Sequence, residues 1–318
     1  MQHFLLSSAA RSLSLKAVFR MGEDVAYQTF CQMRWPETEG EAVCPRCGCT
    51  ESYSIVTRRK FKCAACYHQF SVTSGTIFAS RKLAFTDLLA AIVIFVNGAK
   101  GVSALQVSRD LDVQYKTAFV LSHKLREAMA AEDMGQTLAG EVELDGAYFG
   151  GHIRPANRKT ERRDRRLAIY QTGKRQVVVV GRERDGESIT VVARSEALGG
   201  EIVASRIHHM ATVHADEASH WDELHGRFDT RRINHSEVYS DGFACTNQAE
   251  SFFSRLRRME VGTHHHIAGP YLAGYAAEAS WREDNRRVDN GGLAMLVALE
   301  AMASRVSRQW KGYWQRAA

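Results

Sequence analysis

Two Cys-x-x-Cys pairs, Cys44-Pro-Arg-Cys47 and Cys63-Ala-Ala-Cys66, constrain this chain more than any other feature. Residues 48 to 62 separate them, which is the spacing of a zinc ribbon. Each pair turns tightly enough to aim two thiolates at one ion, and the stretch between can return as a hairpin. Four thiolates complete tetrahedral Zn²⁺ and leave no open position, so Cys44, Cys47, Cys63 and Cys66 are the expected ligands of a structural zinc. Cys31, Cys49 and Cys245 remain. An odd remainder beside metal-type pairs argues for a reducing compartment, and hence a cytoplasmic location, rather than for disulfides.

The 318 residues suffice for two or three domains with a sizeable core. Hydrophobic content of 45% and charged content of 25% are those of a soluble globular protein, and no apolar run approaches a membrane span. The net charge is +6, with arginines in clusters, which favours a polyanionic partner. Residues 1–20 contain Ser and Arg and no acids but run directly into Gly22-Glu23-Asp24, and read as a native arm.

The pattern divides the chain into five parts: an arm and short helix over 1–38, the ribbon over 39–80, a helical domain over 81–135, a larger α/β domain over 136–290, and a C-terminal helix and tail over 291–318. Within the ribbon, residues 54–57 and 58–62 alternate like strands around the basic cluster Arg58, Arg59 and Lys60, with Phe70-Ser71-Val72 as a third strand. In the helical domain, residues 85–97 form an apolar helix ended by Gly98. Helices over 102–111 and 114–129 follow, broken only at Asp112-Val113, a spacing that suits a helix-turn-helix. The last of these would present Gln114, Lys116, Thr117, Lys124 and Arg126 to DNA. The plainer alternative is a three-helix bundle with a solvated polar face.

Beyond residue 140 the pattern becomes strand, strand, strand, helix, strand, helix, strand, helix. The strands fall at 141–147, 176–181, 189–193, 212–215 and 231–233, the helices at 200–210, 219–228 and 247–259. The first three strands should form an antiparallel meander, turning at Arg184-Asp185-Gly186-Glu187, and the later ones should pair in parallel. This order matches a ribonuclease H-like mixed sheet. Two further helices, near 271–284 and 292–308, finish the chain.

Such a sheet could bring three acids together. Asp145 lies on the first strand, Asp216 ends the fourth, and Glu250 begins a helix. Clustered carboxylates repel one another unless they hold divalent metal, and hard oxygen ligands suit Mg²⁺ or Mn²⁺. Two such ions can activate water or a 3′-hydroxyl and stabilise the leaving oxygen in an in-line attack at phosphorus. The competing reading is a polar strand face, because Glu141, Glu143 and Asp145 share one side at period two.

Several blocks together resemble bacterial insertion-sequence transposases of the zinc-ribbon DDE type, the ISXO-two-like group. They are Trp35, Cys44-Pro-Arg-Cys47-Gly48, Phe70-Ser71-Val72-Thr73-Ser74-Gly75-Thr76, Leu144-Asp145-Gly146-Ala147-Tyr148-Phe149-Gly150-Gly151, His214-Ala215-Asp216-Glu217, Thr246-Asn247-Gln248-Ala249-Glu250-Ser251-Phe252-Phe253, Gly262-Thr263-His264-His265-His266 and Asp284-Asn285-Arg286-Arg287. They occur in family order over nearly the whole length. The resemblance implies that Asp145, Asp216 and Glu250 form the catalytic triad. It also implies that the protein binds terminal inverted repeats and target sites in double-stranded DNA, cuts and joins strands with two Mg²⁺ or Mn²⁺ ions, and works as a homodimer or larger synaptic assembly. Two positions depart from the pattern. Gly146 stands where many relatives carry Glu, and Arg257 stands where many carry Lys, seven residues after the triad Glu. An arginine there would grip a terminal phosphate with a fork rather than a point charge.

Arg158, Lys159, Arg162, Arg163, Arg165 and Arg166 crowd the segment after the first catalytic strand, opposed only by Glu161 and Asp164. Such a run either tracks a phosphate backbone or forms a solvated loop; DNA contact is the favoured reading. The adjacent His264, His265 and His266 point to alternating sides in extended chain and do not readily converge on one ion. His214, two residues before Asp216, is a candidate pocket residue. Trp281, Trp310 and Trp314 read as packing residues. Two rival functions stay open: a zinc-ribbon DNA-binding regulator with an inactive catalytic domain, and a metal-dependent nuclease that does not join strands.

Overall fold

Three short antiparallel strands follow the first cysteine pair and frame the second in the computed structural model, which describes residues 4–132, 135–150, 158–162, 175–233 and 245–315. They are β1 (Ser52–Ile55), β2 (Lys60–Cys63) and β3 (Gln69–Phe70), in the order β1-β2-β3. Tyr53 pairs with Lys62, and Phe61 with Phe70. The hairpin tip is a 3₁₀ turn over Val56–Arg58, with Arg59 left-handed at φ 45°. That turn occupies residues expected to be strand, so the two strands are centred further apart than their alternation suggests. Trp35, Phe61 and Phe70 pack edge-on and tilted at 5.6–6.3 Å beneath the hairpin.

The chain divides into two units, residues 1–132 with 287–318, and residues 133–286. In the first, α1 (Leu15–Arg34) begins on Ser14, whose side chain accepts the Ala17 N–H at 3.1 Å. It bends at Gly22, whose φ of 76° is open to glycine without steric cost. Val18, Ala26, Phe30 and Met33 form its buried stripe. Next comes α2 (Phe85–Asn97), which lacks a side-chain cap of its own. Glu23 of α1 supplies one: its carboxylate accepts the Phe85 and Thr86 N–H groups, both at 3.0 Å. Every residue of α2 from Leu88 to Val96 is buried, as its apolar run requires. Around it pack α1 and α8 (Asn290–Ala303), so the C-terminal helix belongs to this unit.

The helix pair expected after Gly98 is present as α3 (Ala104–Asp110) and α4 (Tyr115–Glu132), with Asp112 left-handed in the turn. Ile94, Val102, Val107 and Ala118 form the small core between α2, α3 and α4. Only the start of α4 is open. Gln114, Tyr115, Lys116 and Thr117 are exposed, whereas Arg126 is 2% exposed with its guanidinium 5.2 Å from the Phe95 ring centre. Arg126 is therefore core, contrary to its expected place on a DNA-facing side. Trp310 stacks on His123 at 4.2 Å and meets Phe119 edge-on at 5.9 Å, so the tail packs along α4.

The second unit is built on a five-stranded sheet of β4 (Glu141–Gly150), β5 (Arg175–Glu183), β6 (Ser188–Ala193), β7 (Thr212–Asp216) and β8 (Asp229–Ile233). Its order is β6-β5-β4-β7-β8. The β4-β5-β6 meander is antiparallel, and β7 and β8 join it in parallel. The meander turns at Asp185, φ 58°, where Gly186 N–H donates to the Glu183 carbonyl at 3.2 Å.

Both faces of the sheet are covered. On one, Val142, Leu144, Val179, Val213 and Ala215 pack with Val203 of α5 (Glu196–Ala204) and with Trp221. On the other, Ala147, Phe149, Val178 and Val180 pack with Phe252, Phe253 and Leu256 of α6 (Asn247–Met259) and Ala276 of α7 (Leu272–Asp284). The valine run of β5 is buried on both sides, as expected for a central strand between two helical layers. A helix expected over 200–210 instead starts at Glu196, because Ser195 caps it by accepting the Leu198 N–H at 3.3 Å.

Candidate functional site

The cysteine site is local. The sulfur atoms of Cys44, Cys47, Cys63 and Cys66 all lie within 4.8 Å of one another, with Cys44–Cys66 at 3.6 Å and Cys47–Cys63 at 3.5 Å. Sulfurs around tetrahedral Zn²⁺, each about 2.3 Å from the metal, would stand at such separations. The Cys66 N–H, donating to Cys63 Sγ at 3.4 Å, leads in lowering the Cys63 thiol to about 6. Cys47 has a lowering hydrogen bond with the backbone of Cys49, yet the sulfurs of Cys66, Cys63 and Cys44 push it up to about 12. Sulfurs that compete for protons in this way are suited to share a dication. Cys49 stands outside the set, its thiol directed to the Glu51 carbonyl.

The carboxylate site is assembled from distant parts of the chain. Parallel strands β4 and β7 are in register with Glu143 opposite His214. Two residues further along each lie Asp145 and Asp216, on the face that α6 covers. Glu250 belongs to the first turn of that helix. Asp145 accepts the Gly146 N–H at 2.7 Å, and Asp216 accepts the Ala218 N–H at 3.1 Å. Burial pushes Asp145 up to about 7, the Gly146 hydrogen bond opposes it, and the charges of Asp216, Glu250 and Glu196 raise it further. Asp145 and Asp216 thus lie on one face of adjacent strands, and the helix covering that face holds Glu250 in its first turn. Their carboxylate oxygens are more widely spaced than the sulfurs: among the described residues, the four sulfurs form the one group of three or more ligand atoms mutually within 4.8 Å.

Glu196, which sequence reasoning missed, is a fourth acid at this site. It is the first residue of α5, its carboxylate 3.2 Å from His220 Nε2. Burial leads in raising its pKa; His220 opposes this and Asp216 adds to it. Its seat depends on Gly146, because a Cβ there would stand 2.7 Å from Glu196 Cγ. The departure at position 146 is therefore the room that Glu196 fills. Ser195 as a helix cap was the available signal.

Glu141 and Glu143 share the strand face of Asp145 but not its role. Arg184, just past β5, binds both carboxylates, reaching Glu143 at 2.9 Å. His214 joins this network and not the triad. It is fully buried, with Nδ1 3.4 Å from Arg184 and Nε2 3.7 Å from Glu141, and burial foremost lowers its pKa. Arg257 is exposed two helical turns beyond Glu250, its guanidinium 5.9 Å from the Phe253 ring centre. His264 packs edge-on against Tyr275 at 4.6 Å at the end of a π-helical turn over Glu260–His264. Asp284 binds the N–H and hydroxyl of Ser188 on the edge strand β6.

Of the basic candidates, Arg58 and Lys60 are exposed at the ribbon tip. Arg59 is otherwise engaged: it binds Glu23 at 3.1 Å and Asp24 at 2.7 Å and lies 5.1 Å from the Tyr27 ring centre. It ties the ribbon to α1, so it is less free than Arg58 and Lys60 to reach DNA. Lys116 is exposed, 5.4 Å from the ring centre of Trp314. Arg158, Lys159 and Arg162 are exposed, with Arg158 3.8 Å from Glu161. Arg163, Arg165 and Arg166 lie outside the described residues.

Comparison with known families matches residues 137–284 to the ISXO2-like transposase domain and residues 21–69 to the transposase zinc-ribbon domain. The first span holds Asp145, Asp216 and Glu250, and the second holds all four cysteines. No curated protein and no solved structure matches the chain.

Proposed function

Because this chain belongs to the ISXO2-like family of insertion-sequence transposases, we propose that it cleaves and joins DNA strands at Asp145, Asp216 and Glu250. One observation carries the reading: Asp145 and Asp216 stand on one face of the adjacent parallel strands β4 and β7, under the helix whose first turn holds Glu250, and burial with the charges of these acids raises Asp145 to about 7. Such a cluster is costly unless cations share it. Its hard oxygens suit Mg²⁺ or Mn²⁺, which would lower the pKa of an attacking hydroxyl and stabilise the leaving oxygen. Asp145 and Asp216 hold the ligating oxygens from adjacent strands, and Glu250 closes the set from α6. Arg257, exposed along the same helix, holds a terminal phosphate in this reading.

Strand directions support a ribonuclease H-like sheet: meander first, then two parallel strands added beside β4. The short turn between α3 and α4, with the exposed start of α4, supports a helix-turn-helix in which Lys116 contacts the backbone of double-stranded DNA. Arg58 and Lys60 extend that contact from the zinc ribbon, and Arg158, Lys159 and Arg162 from the segment after β4. Two element ends must be held together, so a homodimer or larger assembly follows. No helix among the described residues is long and apolar enough to cross a membrane.

The test is purified protein with labelled DNA carrying the element's terminal repeats and Mg²⁺. Wild type should join strands. Asp145→Asn, Asp216→Asn and Glu250→Gln should each lose about 10²–10³-fold or more in rate, on the scale of removing one preorganised electrostatic group. Cleavage without joining would identify a nuclease, and binding with no metal-dependent product would identify a regulator.

A further inference from the structure

We propose that Glu143 is a positioning residue for this reaction, setting Glu250 against Asp145 by capping α6 from within the catalytic strand. The inference rests on the carboxylate site being the reactive one. Thr246, at the cap position of α6, makes no side-chain cap bond. The first turn nonetheless has an acceptor, because Glu143 Oε2 takes the N–H groups of Gln248 at 2.7 Å and Ala249 at 3.1 Å. These are the second and third helical residues, whose N–H groups a helix cannot satisfy internally. Glu250 follows directly, its N–H donating to the Thr246 carbonyl as the helix begins.

The other oxygen of Glu143 is also committed. Oε1 accepts Arg184 Nε at 2.9 Å and lies 3.4 Å from Cys245 Sγ. Arg184 reaches past it, donating from Nη2 to the Cys245 carbonyl at 3.2 Å. A second arginine of the same strand region, Arg182, donates to the Gln248 side chain at 3.0 Å. The start of α6 is thus gripped through its backbone by β4 and through its flanks by two arginines.

With both oxygens filled, Glu143 has no lone pair directed at a metal or a substrate, and its side chain is 0% exposed. Its effect must pass through α6. Asp145 lies two residues along the strand, and Glu250 lies one residue beyond the second capped N–H. The separation of their carboxylates is therefore set by a third carboxylate that touches neither reactant. A negative charge at a helix N-terminus is itself favourable, and Arg184 neutralises it in the interior.

Glu143→Gln tests this, because it retains shape and one acceptor but removes the charge and faces Arg184 with a donor. Mn²⁺ affinity, measured by electron paramagnetic resonance on the full chain without DNA, should fall about tenfold. In strand joining, kcat should fall with KM for DNA unchanged, and the Gln248 and Ala249 amides should exchange faster. Arg184→Lys serves if Glu143→Gln does not fold: it leaves Glu143 ionised, and should lower Mn²⁺ affinity and kcat in the same sense. Wild-type Mn²⁺ affinity and kcat in the folded variant, or a raised KM with kcat intact, overturns the positioning role. Wild-type Mn²⁺ binding and joining in Asp145→Asn and Glu250→Gln would instead overturn the reactive site itself.

Discussion

The cysteine site and the carboxylate group proposed as the catalytic site are built on opposite plans. Cys44, Cys47, Cys63 and Cys66 span 23 residues of sequence, and their sulfurs converge within 4.8 Å. Asp145, Asp216, Glu250 and Glu196 come from two strands and two helices, and stay further apart. A structural site profits from closure: it takes all its ligands from one hairpin and leaves no position for a substrate. A catalytic site needs an open side, so its acids stand on a rigid sheet and are held apart by other groups. In the role proposed for them, Glu143 and Arg184 provide that support, while Gly146 leaves room for Glu196.

The largest expected effect breaks the comparison at the sulfur end. Removing zinc, or making Cys63→Ser, should unfold the ribbon, since zinc supplies roughly 10–16 kcal/mol of apparent folding free energy in small modules. Near-ultraviolet circular dichroism should lose the signal of Trp35, which packs on Phe61 and Phe70. Mn²⁺ binding by the carboxylates should survive. Its loss on zinc chelation would mean that the two sites are not independent.

Next in size is a pH effect at the carboxylate end. Asp145 and Asp284 are both raised from 3.8 to about 7, each chiefly by burial. A raised acid favours the folded state fully below its unfolded value, and this contribution is lost as pH climbs through the folded value. Without divalent metal, the melting temperature should therefore fall between about pH 4 and pH 7, by a free energy on the order of a few kcal/mol. Asp145→Asn should remove its share of that slope and leave the share of Asp284. Mg²⁺ should stabilise the protein more at pH 8 than at pH 5, because proton and metal compete for Asp145. Equal stabilisation at both values, measured by thermal melts, would count against Asp145 as a ligand.

The smallest effect sharpens the picture of how the open site is kept open. Gly146→Ala places a Cβ 2.7 Å from Glu196 Cγ, and Glu196 must swing away. The expected cost is about 1–3 kcal/mol in stability, as for overpacking elsewhere. Joining should also slow more than in Glu196→Gln, which keeps the side chain in place. Urea melts and joining rates read both, and a Gly146→Ala protein with wild-type stability would show that Glu196 moves without penalty.

Much of this was legible in the chain. The spacing of the cysteines led to the ribbon, the order of strands and helices to the mixed sheet, and the triad candidates to one side of it. The ribbon tip was misplaced because Val56–Arg58 alternates like a strand but turns as a 3₁₀ helix. Helix α5 was begun too late because Gly200 read as its start, when it is buried in close contact with Trp221 inside the helix. Arg59 read as one of a free basic cluster because charge in a sequence carries no record of Glu23 and Asp24 lying beside it.

What the sequence determined by itself is whatever short-range spacing dictates: four thiolates two and two apart, alternation in the strands, an apolar run that must be buried. Tertiary structure decided which of several equivalent residues acquires a role. Glu141, Glu143 and Asp145 are alike at period two, yet Arg184 takes the first two. Asp145 instead feels the charges of Asp216, Glu250 and Glu196. The reason is physical: a carboxylate's function depends on its charged neighbours and its burial, and both come from residues distant in sequence.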